Sequence, residues 1–155
     1  MQDFGNSLMT NTGLSTLDTT LQKTATWINE LAAKLGWDNR HDAFQALRIT
    51  LHMVRDRIPP EEAVELGSQL PILLSGFFYE NYRLANVPTK ERNKDAFLSK
   101  IQEEFQRVNI DAEPEPVVRA VFQTIAEHIT QGEAKDVVHS FPQALKELWP
   151  QAVQA

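Results

Sequence analysis

Cysteine is absent from this 155-residue chain, which removes disulfides, thiolate nucleophiles and Cys-ligated zinc together. Glycine is scarce, with six residues in all; they form no phosphate-cradling loop, no dinucleotide fingerprint and no G-x-S-x-G elbow. No stretch approaches the roughly 20 consecutive apolar residues of a membrane span, and Met1–Thr16 has neither the basic start nor the apolar run of a signal peptide. Positive charge is also short. Fifteen Lys and Arg face 21 Asp and Glu, a net charge of −6, which argues against broad binding to nucleic acid or anionic membranes. Strand-like alternation is missing. These absences predict a cytoplasmic all-α protein with no membrane segment, no cofactor and no catalytic motif.

What is present is a succession of amphipathic runs. Residues 1–16 are Asn-, Ser-, Thr- and Gly-rich and predict a loose tail. Leu17, Leu21, Ile28, Leu31 and Leu35 then recur at helical spacing up to Gly36, which supplies a stop. Asp38 or Asn39 offers an N-cap for a second run striped by Phe44, Leu47, Leu51, Val54 and Ile58. Pro60, ahead of Glu61 and Glu62, reads as the first turn of a third helix, because a helix has no use for that missing N–H. Pro71 opens a fourth, which runs into Phe77, Phe78, Tyr79 and Tyr82. Residues 83–93 form a polar linker.

Beyond the linker the pattern starts again. Shifting the chain by 71 residues places Ile58 on Ile129 and also superposes Arg48 on Arg119, Glu62 on Glu133, Ala63 on Ala134, Pro71 on Pro142 and Leu74 on Leu145. The apolar positions between them keep their character, as in Leu51/Phe122, Val54/Ile125, Leu66/Val137 and Phe78/Trp149. A shift of 70 serves the first helix, with Trp27 on Phe97 and Leu31 on Ile101. Thr130-Gln131-Gly132-Glu133 matches a capping box where the first copy has prolines. The second copy's helix two should start at or just before Pro114 and Pro116. The expected fold is therefore a tandem duplication of a four-helix unit: repeat 1 over 17–82, repeat 2 over 94–150, eight helices in one compact bundle-like body, and a short tail at 151–155.

The string ALRITLHMVRDRIPPEEAVELGSQLPILLSGFFYENY, with HITQGEAKDVVHSFPQALKELWP in the second copy, resembles the bacterial family known as domain of unknown function 2267, over about residues 20–150. The resemblance implies an all-helical fold and brings no activity, cofactor or catalytic residue with it. The chain departs from the family's expected Gly-Trp ending by carrying Asn81-Tyr82.

Three sets of residues invite a functional reading. His41, Arg48, His52 and Arg55, spaced by seven, four and three, share one face of helix two and could bind a phosphate, an acidic peptide or RNA; the plain alternative is a solvated edge. Phe77, Phe78, Tyr79 and Tyr82 cannot all point inward from one helix, so they could form a partner-binding patch or pack on the other repeat. Arg48/Arg119, Glu62/Glu133 and Pro71/Pro142 are retained in both copies and read as architecture, the arginines pairing with the glutamates or closing a helix C-terminus. The four histidines lie in no HExxH or paired Glu-x-x-His pattern, so no metal centre is expected. The sum is a non-enzymatic module for a protein partner or for self-association. The alternative is a small-ligand or regulatory protein with a pocket between the repeats, and nucleic acid comes last.

Overall fold

The computed structural model describes residues 12–155, which form seven α-helices and three short 3-10 segments and contain no strand. The α-helices are α1 (Ser15–Leu35), α2 (Arg40–Arg55), α3 (Pro60–Ser68), α4 (Ile72–Phe78), α5 (Lys94–Arg107), α6 (Pro114–His128) and α7 (Gln131–Ser140). The 3-10 segments are Leu84–Asn86, Gln143–Leu148 and Gln151–Val153.

Each boundary has a local cause. Gly36 closes α1 in the left-handed conformation (φ 69°), so that Trp37 N–H reaches Ala32 O at 3.0 Å, a bond a side chain at that φ would hinder. Asn39 caps α2 by accepting from Asp42 N–H at 3.1 Å, and Asn93 caps α5 in the same way through Ala96 N–H. Pro60 and Pro114 stand at first-turn positions of α3 and α6, as expected. The start of α4 is served from elsewhere: Thr20 on α1 accepts from Leu73 N–H at 2.9 Å.

Residues 94–148 repeat the helix order of residues 15–78, with one change. The eighth helix, Gln143–Leu148, is 3-10 and not α, because only six residues lie between Pro142 and the closing Trp149-Pro150. Contacts between the halves are reciprocal: α1 packs on α6, α2 on α5, α3 on α7, and α2 on α6. That is the pattern a pseudo-two-fold axis near the α2–α6 contact would produce. Trp27, Leu31, Leu47, Leu51, Val54, Leu74 and Phe78 join Phe97, Ile101, Phe105, Phe122, Ile125 and Trp149 in one continuous core. In the second half, Phe122 stacks on Trp149 with centroids 4.0 Å apart, and Phe141 stands edge-on to both.

Several expectations need correction. Residues 1–11 of the expected tail lie outside the described residues, whereas Ser15 and Thr16 already belong to α1. Leu17 is not part of the inner face of α1: it is 46% exposed, and Thr20, Thr24, Trp27 and Leu31 form the buried row instead. The linker is fastened, since Thr89 N–H donates to Asp56 O at 2.7 Å and Arg57 pairs with Glu91 at 2.5 Å. The expected short tail at 151–155 is packed down, with Val153 buried and Gln154 donating to Trp149 O at 2.7 Å. Val153 corresponds to Tyr82 under the 71-residue shift, so both halves end on a residue folded back against the core.

Phe78 has no exposed surface. Phe78→Ala should therefore cost about 3–5 kcal/mol in urea denaturation, whereas loss of binding without loss of stability would show that the ring serves a partner and not the core.

Candidate functional site

The basic face of α2 and the aromatic cluster after α4 turn out to be two sides of one contact. A seven-residue helix leaves its last carbonyls without intrahelical partners, and α4 ends at Phe78 directly over α2. Arg55, 5% exposed, donates through one guanidinium nitrogen to Phe78 O at 2.7 Å and Glu80 O at 2.5 Å. His52 Nε2 lies 2.7 Å from Phe77 O; since a carbonyl only accepts, Nε2 carries the hydrogen. Burial lowers the pKa of His52, offset in part by that bond. Arg48 closes a two-pronged pair with Glu80 at 2.7 and 2.8 Å, its guanidinium over the rings of Phe44 and Phe77.

The expected phosphate face is thus occupied by the protein's own carbonyls and by Glu80; of its four residues only His41 is exposed. The expected aromatic patch is likewise packed within the chain. Phe78 is buried, Tyr79 donates to Ala63 O at 3.3 Å, and Tyr82 lies under the Arg55 guanidinium at 5.3 Å. Asn81 has a left-handed backbone (φ 56°), which Asn tolerates and Gly accepts freely, and this accounts for the expected Gly at that position. The retained arginine performs a related task in the second half: Arg119 donates to Glu147 O at 2.9 Å near the end of the last helix and pairs with Glu115. The proposed partners Glu62 and Glu133 are not its partners, nor those of Arg48.

Those two glutamates meet each other. They occupy the first turns of α3 and α7, which pack together across the halves. Carboxylate oxygens of Glu62, Glu65 and Glu133 lie within 4.8 Å of one another, and Glu133 is 6% exposed. The expected capping box at Thr130 is only half made. Thr130 Oγ1 accepts from Glu133 N–H at 3.2 Å, but Thr130 N–H donates to Gln69 Oε1 from the first half at 2.9 Å. The Glu133 carboxylate is thereby released from capping. One oxygen each of Glu62 and Glu133 is buried without a hydrogen-bond donor, and none of Glu62, Glu65, Glu133 or Asp136 is ion-paired among the described residues. Burial, then a hydrogen bond with Glu62 and the charges of Glu62, Glu65 and Asp136, push the Glu133 carboxyl up to about 8. Without another cation, the joint holds a proton at neutral pH.

A groove runs beside this joint, between α1 and the turn from α3 to α4. One part, about 340 Å³, is lined by Ser15, Thr19, Lys23, Leu70, Pro71 and Ile72. The adjoining part, about 450 Å³, continues past Lys23 and Leu70 to Trp27 and His128. His128 stacks on Trp27 at 4.7 Å and bonds Glu30 at 2.6 Å, so this inner end is closed by residues of both halves.

The sequence profile of a family described as an uncharacterized conserved protein (DUF2267) matches residues 24–148. The chain belongs to the DUF2267 family. Comparison with curated proteins returned no match. The matched span includes both glutamates of the α3–α7 joint and the inner end of the groove, and stops just short of Trp149.

Gln69, Lys23 and Ile72 went unnoticed in the sequence of this DUF2267 chain, and Glu65 drew notice only as the counterpart of Asp136 in a rejected Glu-x-x-His comparison. The 71-residue shift places Glu65 on Asp136, so Glu-x-x-Glu and Glu-x-x-Asp stand at the same place in both halves. That retained acidity was the available signal. For Gln69, Lys23 and Ile72 no spacing pattern distinguishes them from ordinary surface residues.

Two outcomes are expected of the DUF2267 chain. Arg55→Ala strands two carbonyls and should cost about 2–3 kcal/mol, more than Arg48→Ala, whose side chain is one-third exposed; equal losses would refute the capping role. Glu133 binds its proton more tightly folded than unfolded, so its contribution is fully present below pH 4.5 and lost as pH rises through about 8. In metal-free buffer the wild-type melting temperature should fall over that window more steeply than that of Glu133→Gln, and identical slopes would show the pair is not protonated.

Proposed function

We propose that this chain is a non-enzymatic interaction module, built by duplication of a four-helix unit, that takes a short apolar segment of a protein partner into the groove along α1. The observation that carries the reading is where the exposed apolar side chains lie. Five large hydrophobic residues are exposed among the described residues, and three of them, Leu14 at 61%, Leu17 at 46% and Ile72 at 72%, belong to the groove's outer lining or the start of α1 beside it. Such grooves suit amphipathic segments that contribute apolar anchors at intervals. From Ser15 to Trp27 the groove follows α1 for roughly 18 Å, enough for about three helical turns of a partner. Lys23 lines both parts of the groove and has no ion-pair partner among the described residues, so a complementary segment would place an acidic residue between its apolar anchors.

A second reading has its own support. The inner end, closed by Trp27 and His128 from the two halves, offers a flat aromatic wall beside Lys23 and would accept a small planar anion. Nucleic acid finds less support than the sequence suggested, because Arg48 and Arg55 are already engaged.

Photo-cross-linking in cells from an unnatural residue at position 72 tests the main reading. The expected product joins the groove to an apolar, acidic segment of one protein, and Leu17→Glu or Lys23→Glu abolishes it. If capture is unchanged by both substitutions, the groove is not the docking surface. If only a small molecule is retained, and His128→Ala releases it, the second reading replaces the first.

A further inference from the structure

The α3–α7 joint concentrates negative charge where the fold provides no compensation. Four carboxylates, from Glu62 and Glu65 on α3 and Glu133 and Asp136 on α7, gather at the crossing of the two halves, and none is ion-paired among the described residues. Helix N-termini favour carboxylates, but that effect is small beside the cost of burying one. Capping, the usual employment of a glutamate at this position, is excluded for Glu133 because Gln69 has taken the Thr130 N–H. What remains is a carboxylate more than nine-tenths buried, with an oxygen that has no donor, aimed into a group of two other carboxylates.

We propose that Glu62, Glu65 and Glu133 bind a hard divalent cation that bridges the two halves of the molecule. Oxygen-only, carboxylate-rich donor sets select calcium, magnesium or manganese over zinc or copper. An ion with oxygens at 2.3–2.6 Å spans up to about 5 Å between opposite ligands, and the three carboxylate oxygens lie within 4.8 Å of one another. That spacing is nearer the longer bonds of calcium than the bonds near 2.1 Å of magnesium. Glu65 is exposed, so the ion has a route in from solvent and room for water ligands. Asp136, the counterpart of Glu65 on α7, stands outside the group of three and adds its negative charge to the surroundings of Glu133.

Binding the ion would couple the halves. Each contributes a ligand from the first turn of its own helix, so the site exists only while α3 and α7 stay packed, and bound ion stabilises that packing by mass action.

Isothermal titration of the metal-free full-length chain with calcium, magnesium and manganese salts at pH 7.5, paired with melting curves, decides the matter. The expected result is saturable binding of one ion per chain, calcium tightest, with a raised melting temperature. Glu133→Gln should abolish binding, and Glu65→Gln should weaken it by at least about tenfold, while Glu103→Gln on the distant α5 leaves it unchanged. Glu65 is exposed and cannot be needed for folding, so its variant decides the question even if Glu133→Gln is unstable. Absence of saturable binding for all three ions, or binding that survives both Glu133→Gln and Glu65→Gln, overturns the proposal and leaves the joint as a proton-sharing carboxyl pair.

Discussion

Helix α2 is the element on which the rest of the molecule depends. Its apolar stripe, Leu47, Leu51 and Val54, has no exposed surface and meets α1 and α4 of its own half and α5 and α6 of the other. A helix with neighbours on so many sides has little freedom in where its polar residues go. Arg48, His52 and Arg55 fall on the side from which α4 descends, and a helix of seven residues brings unsatisfied carbonyls to meet them. Cations on one element and bare carbonyls on another thus remove each other's desolvation cost. Burial of the Arg55 guanidinium is tolerable only because the end of α4 lies there, and α4 can be short only because Arg55 does.

The same reasoning explains which features could be read from the sequence. Helix starts at Pro60, Pro114 and Asn39, and the stop at Gly36, depend on a few adjacent residues and were legible. Most members of the core were legible as well, because they keep a period of 3.6, but that the two halves share one core was not. The inner face of α1 was misread: Thr20 and Thr24 are buried where Leu17 was expected, since Thr20 is needed to cap α4 from outside. That need arises 53 residues away, beyond the reach of any local pattern. The meeting of the α2 cations with the α4 carbonyls was concealed for the same reason, and two groups that each looked like a binding surface were in fact partners.

Retained residues showed a parallel ambiguity. Arg48/Arg119 and Glu62/Glu133 suggested either ion pairs, because opposite charges kept together invite that inference, or arginines closing a helix C-terminus. Geometry bears out the second for the arginines, each of which reaches the end of a fourth helix, and brings the glutamates face to face where α3 and α7 pack, the contact that a two-fold relation of the halves would place on its axis. A residue near such an axis meets its own counterpart, so like meets like, and a retained charge there becomes a concentration of one sign. Alignment alone does not show which positions lie close to the axis.

The exchange at Thr130 carries a consequence for how the two halves stand to each other. Gln69 of the first half accepts the Thr130 N–H that starts α7. The position equivalent to Thr130 in the first half is Pro59, which has no N–H to offer. Two copies of the first half placed about the same axis would each set a glutamine amide against an imide nitrogen, and neither contact could form. The two halves are therefore not interchangeable at this contact, and each side of it has its own chemistry.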